Sequence, residues 1–198
     1  MRKKFNSITP TKALYNGNIS AMKWKAGNET TERGYKFTYD SLSRLTDANY
    51  GEGANIASNL NRFNEKLSYD KMGNIMTLQR GGKITSNNYN LIDNLAYTYT
   101  GNQLTKVTDA ITTPITNEST LHFVDDANVD NEYLYDANGN QIKDLNKNIT
   151  LITYNYLNLP NVITFADGNS ITYDYDANGS KLSVAYQIGD NITKTEYV

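Results

Sequence analysis

A short pattern recurs along the 198 residues: an aromatic or apolar residue, one spacer, a tyrosine, a polar turn, then a β-prone run. Segments 37–45, 67–75, 97–104, 133–142, 154–162 and 173–182 carry it, and Tyr15-Asn16-Gly17-Asn18-Ile19, leading to Met22 and Trp24, is a weaker seventh. Such repetition decides architecture before any isolated motif does, because each unit must bury its apolar face against its neighbours. With the second tyrosine as marker, the units are headed by Tyr39, Tyr69, Tyr99, Tyr135, Tyr156 and Tyr175, at unequal intervals. The shorter intervals hold two strands and two tight turns. The longer ones must contain extra loop or lengthened strands, at 50–65, 81–94 and 109–130.

The chemistry of one unit follows from strand geometry. Residues i and i+2 share a face, so Tyr133 and Tyr135, like Tyr173 and Tyr175, place paired rings on one surface, the expected core; Tyr97 with Tyr99 and Tyr154 with Tyr156 belong to the same repeat signature. Asp40, Asp70, Asp136 and Asp176 then sit where a turn begins, with carboxylates suited to accept backbone N–H groups two residues on. Gly73, Gly101, Gly139 and Gly179 occupy turn positions; Gly139 and Gly179, each after Asn, are expected at positive φ, whereas Gly189 is not. The next apolar residue lies six positions after Tyr39 and Tyr69 (Leu45, Ile75), seven after Tyr135 and Tyr175 (Ile142, Leu182) and five after Tyr99 (Leu104). Turns of different length are therefore expected, absorbed by a register change or a bulge.

Composition agrees with a β-structure. Hydrophobic residues make up 38%, and the 16 Tyr outnumber 5 Phe and 1 Trp, so aliphatic content is thin and the rings must hold the sheet, at about 1.5–3 kcal/mol for each one buried. Asn, Asp and Gly supply the turns. A net charge of −2 with 20% charged residues offers no basic surface for nucleic acid. The absence of Cys excludes disulfides, thiolate metal sites and a catalytic thiol. Met1-Arg2-Lys3-Lys4 is not followed by an apolar stretch, and no run of 18 apolar residues exists to cross a membrane as a helix.

Tyr-Asp-x-x-Gly, a polar residue, then Leu or Ile resembles the tyrosine-aspartate (YD) repeat of RHS proteins, teneurins and the C subunits of insecticidal toxin complexes. The resemblance runs from about Asn16 to Leu182, and Tyr-Asp-Ala-Asn-Gly occurs twice, at 135–139 and 175–179. Ser43 stands in place of the turn Gly, and Thr100 and Leu157 in place of Asp, so those units are expected to have altered turns. The resemblance implies an all-β fold: antiparallel hairpin repeats forming a curved, open, spiralling sheet, part of a shell that encloses a C-terminal toxin or other cargo. It implies a secreted or bacterial cell-surface protein. No match to the Asp-Pro and Gly-rich elements that follow such repeats is found, and Thr195-Glu196-Tyr197-Val198 reads as the opening of a further unit, so the chain is expected to be a repeat fragment of a larger parent.

Other motifs have plainer readings. Asp174 with Asp176, or Asp125 with Asp126, could pair as a glycosidase couple, but a turn role already accounts for Asp176. Asp126-Ala127-Asn128-Val129-Asp130 begins like a calcium loop yet has Asn131 and Ala137 where Gly and Glu are required. His122, the only histidine, lies in 121–124, which reads as a short strand with that ring outward. Trp24, Tyr35, Tyr50 and the repeat tyrosines could stack on sugars, though a tyrosine core explains them too.

These observations predict a non-catalytic structural protein with no metal or cofactor. Residues 1–34 form an N-terminal segment with a degenerate repeat, and 35–198 a continuous array. Its expected partners are neighbouring repeats, other parts of the parent, an enclosed cargo and further copies of itself through uncovered edges. The alternative is a cell-surface module binding carbohydrate through exposed tyrosines.

Overall fold

The computed structural model describes residues 14–197. Its strands are β1 Ala21–Trp24, β2 Arg33–Tyr39, β3 Leu45–Glu52, β4 Glu65–Tyr69, β5 Ile75–Lys83, β6 Tyr89–Thr100, β7 Gln103–Asp109, β8 Tyr133–Tyr135, β9 Gln141–Asp144, β10 Ile149–Tyr154, β11 Pro160–Phe165, β12 Ser170–Tyr175, β13 Lys181–Ile188 and β14 Asn191–Glu196. A 3-10 turn at Leu145–Lys147 joins β9 to β10, and no α-helix occurs among the described residues. The fold is all-β and antiparallel, with every strand beside its sequence neighbour: β1 to β7 in one open sheet, β8 to β14 in another. The ladder is not continuous over 35–198. It breaks between β7 and β8, where the polar stretch 110–132 holds no strand.

The described residues form two compact units whose division runs through β6 rather than at this break: one holds the residues before Tyr97 with Asp109–Phe123, the other Tyr97–Thr108 and the residues from Val124 to Tyr197. In the first, Ala48, Ile56, Ile84, Ile92 and Leu95 are buried together with Tyr50, and a chain of half-buried rings runs beside them. Trp24 stacks on Tyr35, Tyr35 on Phe37, and Tyr35, Tyr50, Phe63 and Tyr89 follow one another edge to face at 5.0–5.5 Å. The long connection 53–64 returns Ile56 to this core, where it is 2% exposed. Ile56 packs on Gly51, where a Cβ would lie 2.6 Å from its Cγ2. In the second unit Val107, Tyr133 and Val184 are buried, and Tyr173 and Tyr175 lie side by side at 6.3 Å, as same-face partners should.

Register repeats from hairpin to hairpin. Tyr39 faces Leu45, Tyr69 faces Ile75, Tyr135 faces Gln141, Tyr154 faces Pro160 and Tyr175 faces Lys181, each with a register shift one residue before the tyrosine. The expectation of unequal turns therefore holds only for the hairpin after Tyr99, where residues 101–102 alone join β6 to β7. Five turns, 40–44, 70–74, 136–140, 155–159 and 176–180, have one length, and the following bulge lets either of two residues be the apolar one, Leu45 and Ile75 or Ile142 and Leu182. Between hairpins the count also holds: Ala21 faces Lys36, Asp47 faces Lys66, Thr77 faces Ala96 and Val162 faces Thr172, so each partner lies three residues before Tyr39, Tyr69, Tyr99 and Tyr175.

Candidate functional site: the tyrosine-aspartate turns

In four of these turns an Asp is the hub. Asp70 Oδ1 accepts the N–H of Met72 and of Asn74, both at 2.8 Å, and Oδ2 accepts Asn74 Nδ2. Its own N–H donates to Asn74 O, and Gly73 N–H donates to Asp70 O. Asp136 repeats this set with Asn138, Asn140 and Gly139, Asp176 with Asn178, Ser180 and Gly179, and Asp40 with Leu42, Arg44 and Ser43. One carboxylate thus satisfies two N–H groups that a tight turn would otherwise leave to water.

The fourth position of each turn has a left-handed backbone. Gly73, Gly139 and Gly179 have φ of 98, 84 and 86°, and Ser43 takes φ 63° in the same place. Ser43 therefore does not alter its turn: the small hydroxyl residue bears the strain because the Asp40 bonds hold the loop closed.

The fifth unit lies two residues ahead of the register that the tyrosine marker suggests. Tyr154 ends β10, Asn155 heads the turn, and its Oδ1 accepts Leu157 and Leu159 N–H at 2.9 and 3.1 Å. Asn158 supplies the positive φ at 57°. Tyr156 lies at the turn tip, 81% exposed, and Leu157 is no substitute for Asp. The signal was present as Asn155, since a side-chain amide accepts the same two bonds. The third unit does differ: Thr100 ends β6, and Gly101, at φ 61°, begins a two-residue connection to β7, a tighter hairpin than the others. Tyr97 and Tyr99 are half-buried there. Gly189 corrects another expectation: the short β13–β14 connection sets its φ at 56°.

The turn tyrosines reach backward to the preceding hairpin. Tyr69 OH donates to Leu45 O at 2.8 Å and Tyr154 OH to Gln141 O at 2.6 Å, both acceptors five residues after the previous turn head. Tyr39 OH donates to Ile19 O at 2.8 Å, which puts the weak first unit in the same frame, with Gly17 at φ 89° as its turn glycine. Successive turns also touch. Asn16 Nδ2 donates to Ser43 Oγ, Asn138 Nδ2 to Asn158 Oδ1, and Arg44, with its guanidinium 4.6 Å over the Tyr69 ring, donates to Asp70 O.

Electrostatics follow from this bonding. The side-chain amides of Asn74 and Asn140 first, with backbone N–H groups, hold the Asp70 and Asp136 carboxyls below the usual carboxylate range, and the backbone N–H of Arg44 and of Ser180 does so chiefly for Asp40 and Asp176. Burial pushes Tyr50 and Tyr133 up to about 12. Carboxylates so held are acceptors at neutral pH, whereas a general acid needs a raised value.

The remaining candidates are dispersed. Residues 121–124 form no strand, and His122 is exposed. No cluster of three metal-ligating side chains is found among the described residues. Sequence reasoning missed two fully buried carboxylates. Asp93 accepts Phe123 N–H at 2.6 Å and pairs with Arg80; Glu132 accepts Val107 N–H at 3.0 Å and Asn146 Nδ2 at 2.8 Å. Each ties a strandless stretch to its own unit, and neither stands in the repeat frame that would have drawn attention to it.

No protein-family model matches this chain. No curated protein matches it either. Among solved structures it is similar to the crystal structures of TcdB2-TccC3-Cdc42 and TcdB2-TccC3-TEV, at 16% identity and a TM-score of 0.38 in each case. The similarity covers 83% and 82% of this chain, which spans 9% of the length of those chains.

Proposed function

We propose that the chain is a non-catalytic repeat segment of an RHS-type protein, contributing wall to a β-shell that encloses a toxin or other cargo. The observation that carries this reading is the constant frame: one turn, one bulge and one inter-hairpin register repeated with different sequences between. A frame of that kind lets units be added without limit, which suits a wall and asks nothing of any single side chain. Its partners are the neighbouring repeats, the rest of the parent protein, the cargo and further copies of the chain. Copies meet through β14, an outer strand whose six residues are all exposed. A secreted or bacterial cell-surface setting goes with the reading. No helix among the described residues is long and apolar enough to cross a membrane, which says nothing of crossing by strands.

Electron microscopy of the protein made from its whole reading frame tests this. A hollow particle with these hairpins in its wall is expected; a solid particle, or hairpins standing apart from any cavity, would overturn it. Sedimentation velocity over a wide concentration range should show growth by self-association, and a monomer throughout would remove the edge-pairing part. The alternative of sugar binding through the tyrosine face loses ground because the hydroxyls of Tyr39, Tyr69 and Tyr154 are already donated to backbone.

A further inference from the structure

Asn-Gly occurs three times in the chain, at Asn16-Gly17, Asn138-Gly139 and Asn178-Gly179, and each glycine is left-handed, at φ 89, 84 and 86°. The three pairs are held differently. Gly139 N–H donates to Asp136 O and Gly179 N–H to Asp176 O, both at 3.1 Å, and the Asp carboxylate also takes the N–H of the Asn before each glycine. The first turn has Leu14 where these have Asp, and Gly17 N–H meets no acceptor among the described residues. The Asn16 side chain is also placed unlike its counterparts. Its Oδ1 accepts Asn18 N–H at 3.2 Å, and its Nδ2 lies 3.0 Å from the Ser43 hydroxyl. Asn138 Nδ2 instead faces Asn158 Oδ1, which has no proton to give.

We propose that Asn16 is a site of spontaneous deamidation, with Gly17 N as the nucleophile and the Ser43 hydroxyl as the proton donor. Gly17 N gives its proton to hydroxide and forms a bond to Asn16 Cγ, and the negative charge passes to Oδ1. Asn18 N–H already points at that oxygen, so the developing charge meets a donor in place. Once Cγ is tetrahedral, Nδ2 is a basic amine and its contact with Ser43 reverses. The hydroxyl donates, the Cγ–Nδ2 bond breaks, ammonia leaves, and Ser43 recovers a proton from water. The cyclic imide that remains is opened by a second water to isoaspartate or aspartate, so amide is exchanged for acid with no change of oxidation state. Gly17 N–H reacts without any opening of its turn, whereas Gly139 and Gly179 must first release theirs. Water reaches the imide: Asn16 is exposed, open space surrounds Gly17, and a cleft of about 370 Å³ is lined by Asn16, Asn18, Asp40 and Ser43. The exchange removes the amide that ties the first turn to the second and sets a carboxylate against Ser43.

The site stands apart from the wall reading, and its test does not depend on any cavity in the parent protein. The full chain is aged at mildly alkaline pH in water enriched in heavy oxygen, and each Asn-Gly peptide is read by mass spectrometry and by isoaspartate-specific methylation. Asn16 should take up label roughly tenfold faster than Asn138 and Asn178, while the same chain kept in denaturant should show three similar rates. Ser43→Gly puts at that position the residue the other turns use and removes the hydroxyl, so it should slow Asn16 several-fold with the turn intact. Ser43→Asn, which tolerates the same φ and has no hydroxyl, serves if the glycine variant does not fold. Label entering Asn138 or Asn178 as fast as Asn16, a preference for Asn16 that persists in denaturant, or an unchanged Asn16 rate in a folded Ser43 variant would overturn the assignment.

Discussion

Because the strands alternate in direction, each sheet has two edges of turns, and they behave differently. One edge carries the turns headed by Asp40, Asp70, Asp136, Asn155 and Asp176, of one length and bonding, together with the two-residue turn 101–102. The opposite edge carries connections 53–64, 84–88, 145–148, 166–169 and 189–190, of no common length. The turns at Asp176 and Phe165 isolate what differs. Both close with the same backbone bonds, at 2.9 and 3.1 Å, and both place a glycine at φ 86° in the fourth position. Only the first has a carboxylate hub and a bulge behind it; β11 and β12 pair without a shift up to Thr164 and Ser170. A glycine at left-handed φ is thus enough to turn the chain. The Tyr-Asp pair adds a fixed register and a hold on the previous hairpin, so one edge keeps the frame while the other is free to take insertions.

The largest expected effect comes from the backbone. Gly179→Val forces a β-branched residue into the left-handed region, and its Cβ would meet Leu159 Cδ1 at 3.2 Å, so a loss of about 2–3 kcal/mol is expected from denaturant unfolding. Gly139→Val, with open space around it, should cost somewhat less. Gly189→Asn, at φ 56°, should be nearly neutral because Asn adopts that conformation elsewhere in this chain, at Asn158. Equal losses at 139 and 189 would erase the distinction between the edges.

Next in size is the hub itself. Asp70→Ala or Asp136→Ala should lower the unfolding midpoint clearly, since two N–H groups lose their acceptor, whereas Asp136→Asn should restore most of it on the precedent of Asn155. Asp167→Ala, on the opposite edge, loses only its local bonds to Asn169 and should shift the midpoint less.

Acid sharpens the same contrast. Folding lowers the turn carboxyls from their ordinary 3.8, so their contribution is fully present above about pH 4 and is lost as pH falls through the lower folded-state values. Stability should decline in that window, and an Asp70→Asn, Asp136→Asn pair should decline less steeply. The smallest expected effect is Tyr154→Phe, which removes one hydroxyl bond and should cost about 0.5–1.5 kcal/mol, while Tyr156→Phe, at the exposed tip, should cost nothing measurable.

Much of the repeating edge was legible in the sequence. Tyr-Asp followed by Gly marks strand end, hub and left-handed position in order, and at Asp136 and Asp176 all three fall where the pattern puts them. Asn155 is hard to see in the sequence because two tyrosines flank it and only the first of them ends a strand. The constant turn length was hidden by the bulge, which moves the apolar residue from Leu45 to the position of Ile142 without changing the loop. The opposite edge had no such grammar. That Ile56 returns to sit on Gly51, or that Asp93 and Glu132 go fully inside, depends on contacts far apart in sequence, which no local pattern encodes.

Five turns share one frame, four headed by a titratable carboxyl and one by an amide. Amide hydrogen exchange at single-residue resolution, referred to intrinsic rates, tests it most directly. At neutral pH the N–H groups of Leu42 and Arg44, Met72 and Asn74, Asn138 and Asn140, Leu157 and Leu159, and Asn178 and Ser180 should all be protected. On acidification below the folded range of the carboxyls, four pairs should lose protection while Leu157 and Leu159 keep theirs. Unprotected Leu157 and Leu159 at neutral pH, or five pairs opening together in acid ahead of global unfolding, would contradict the account.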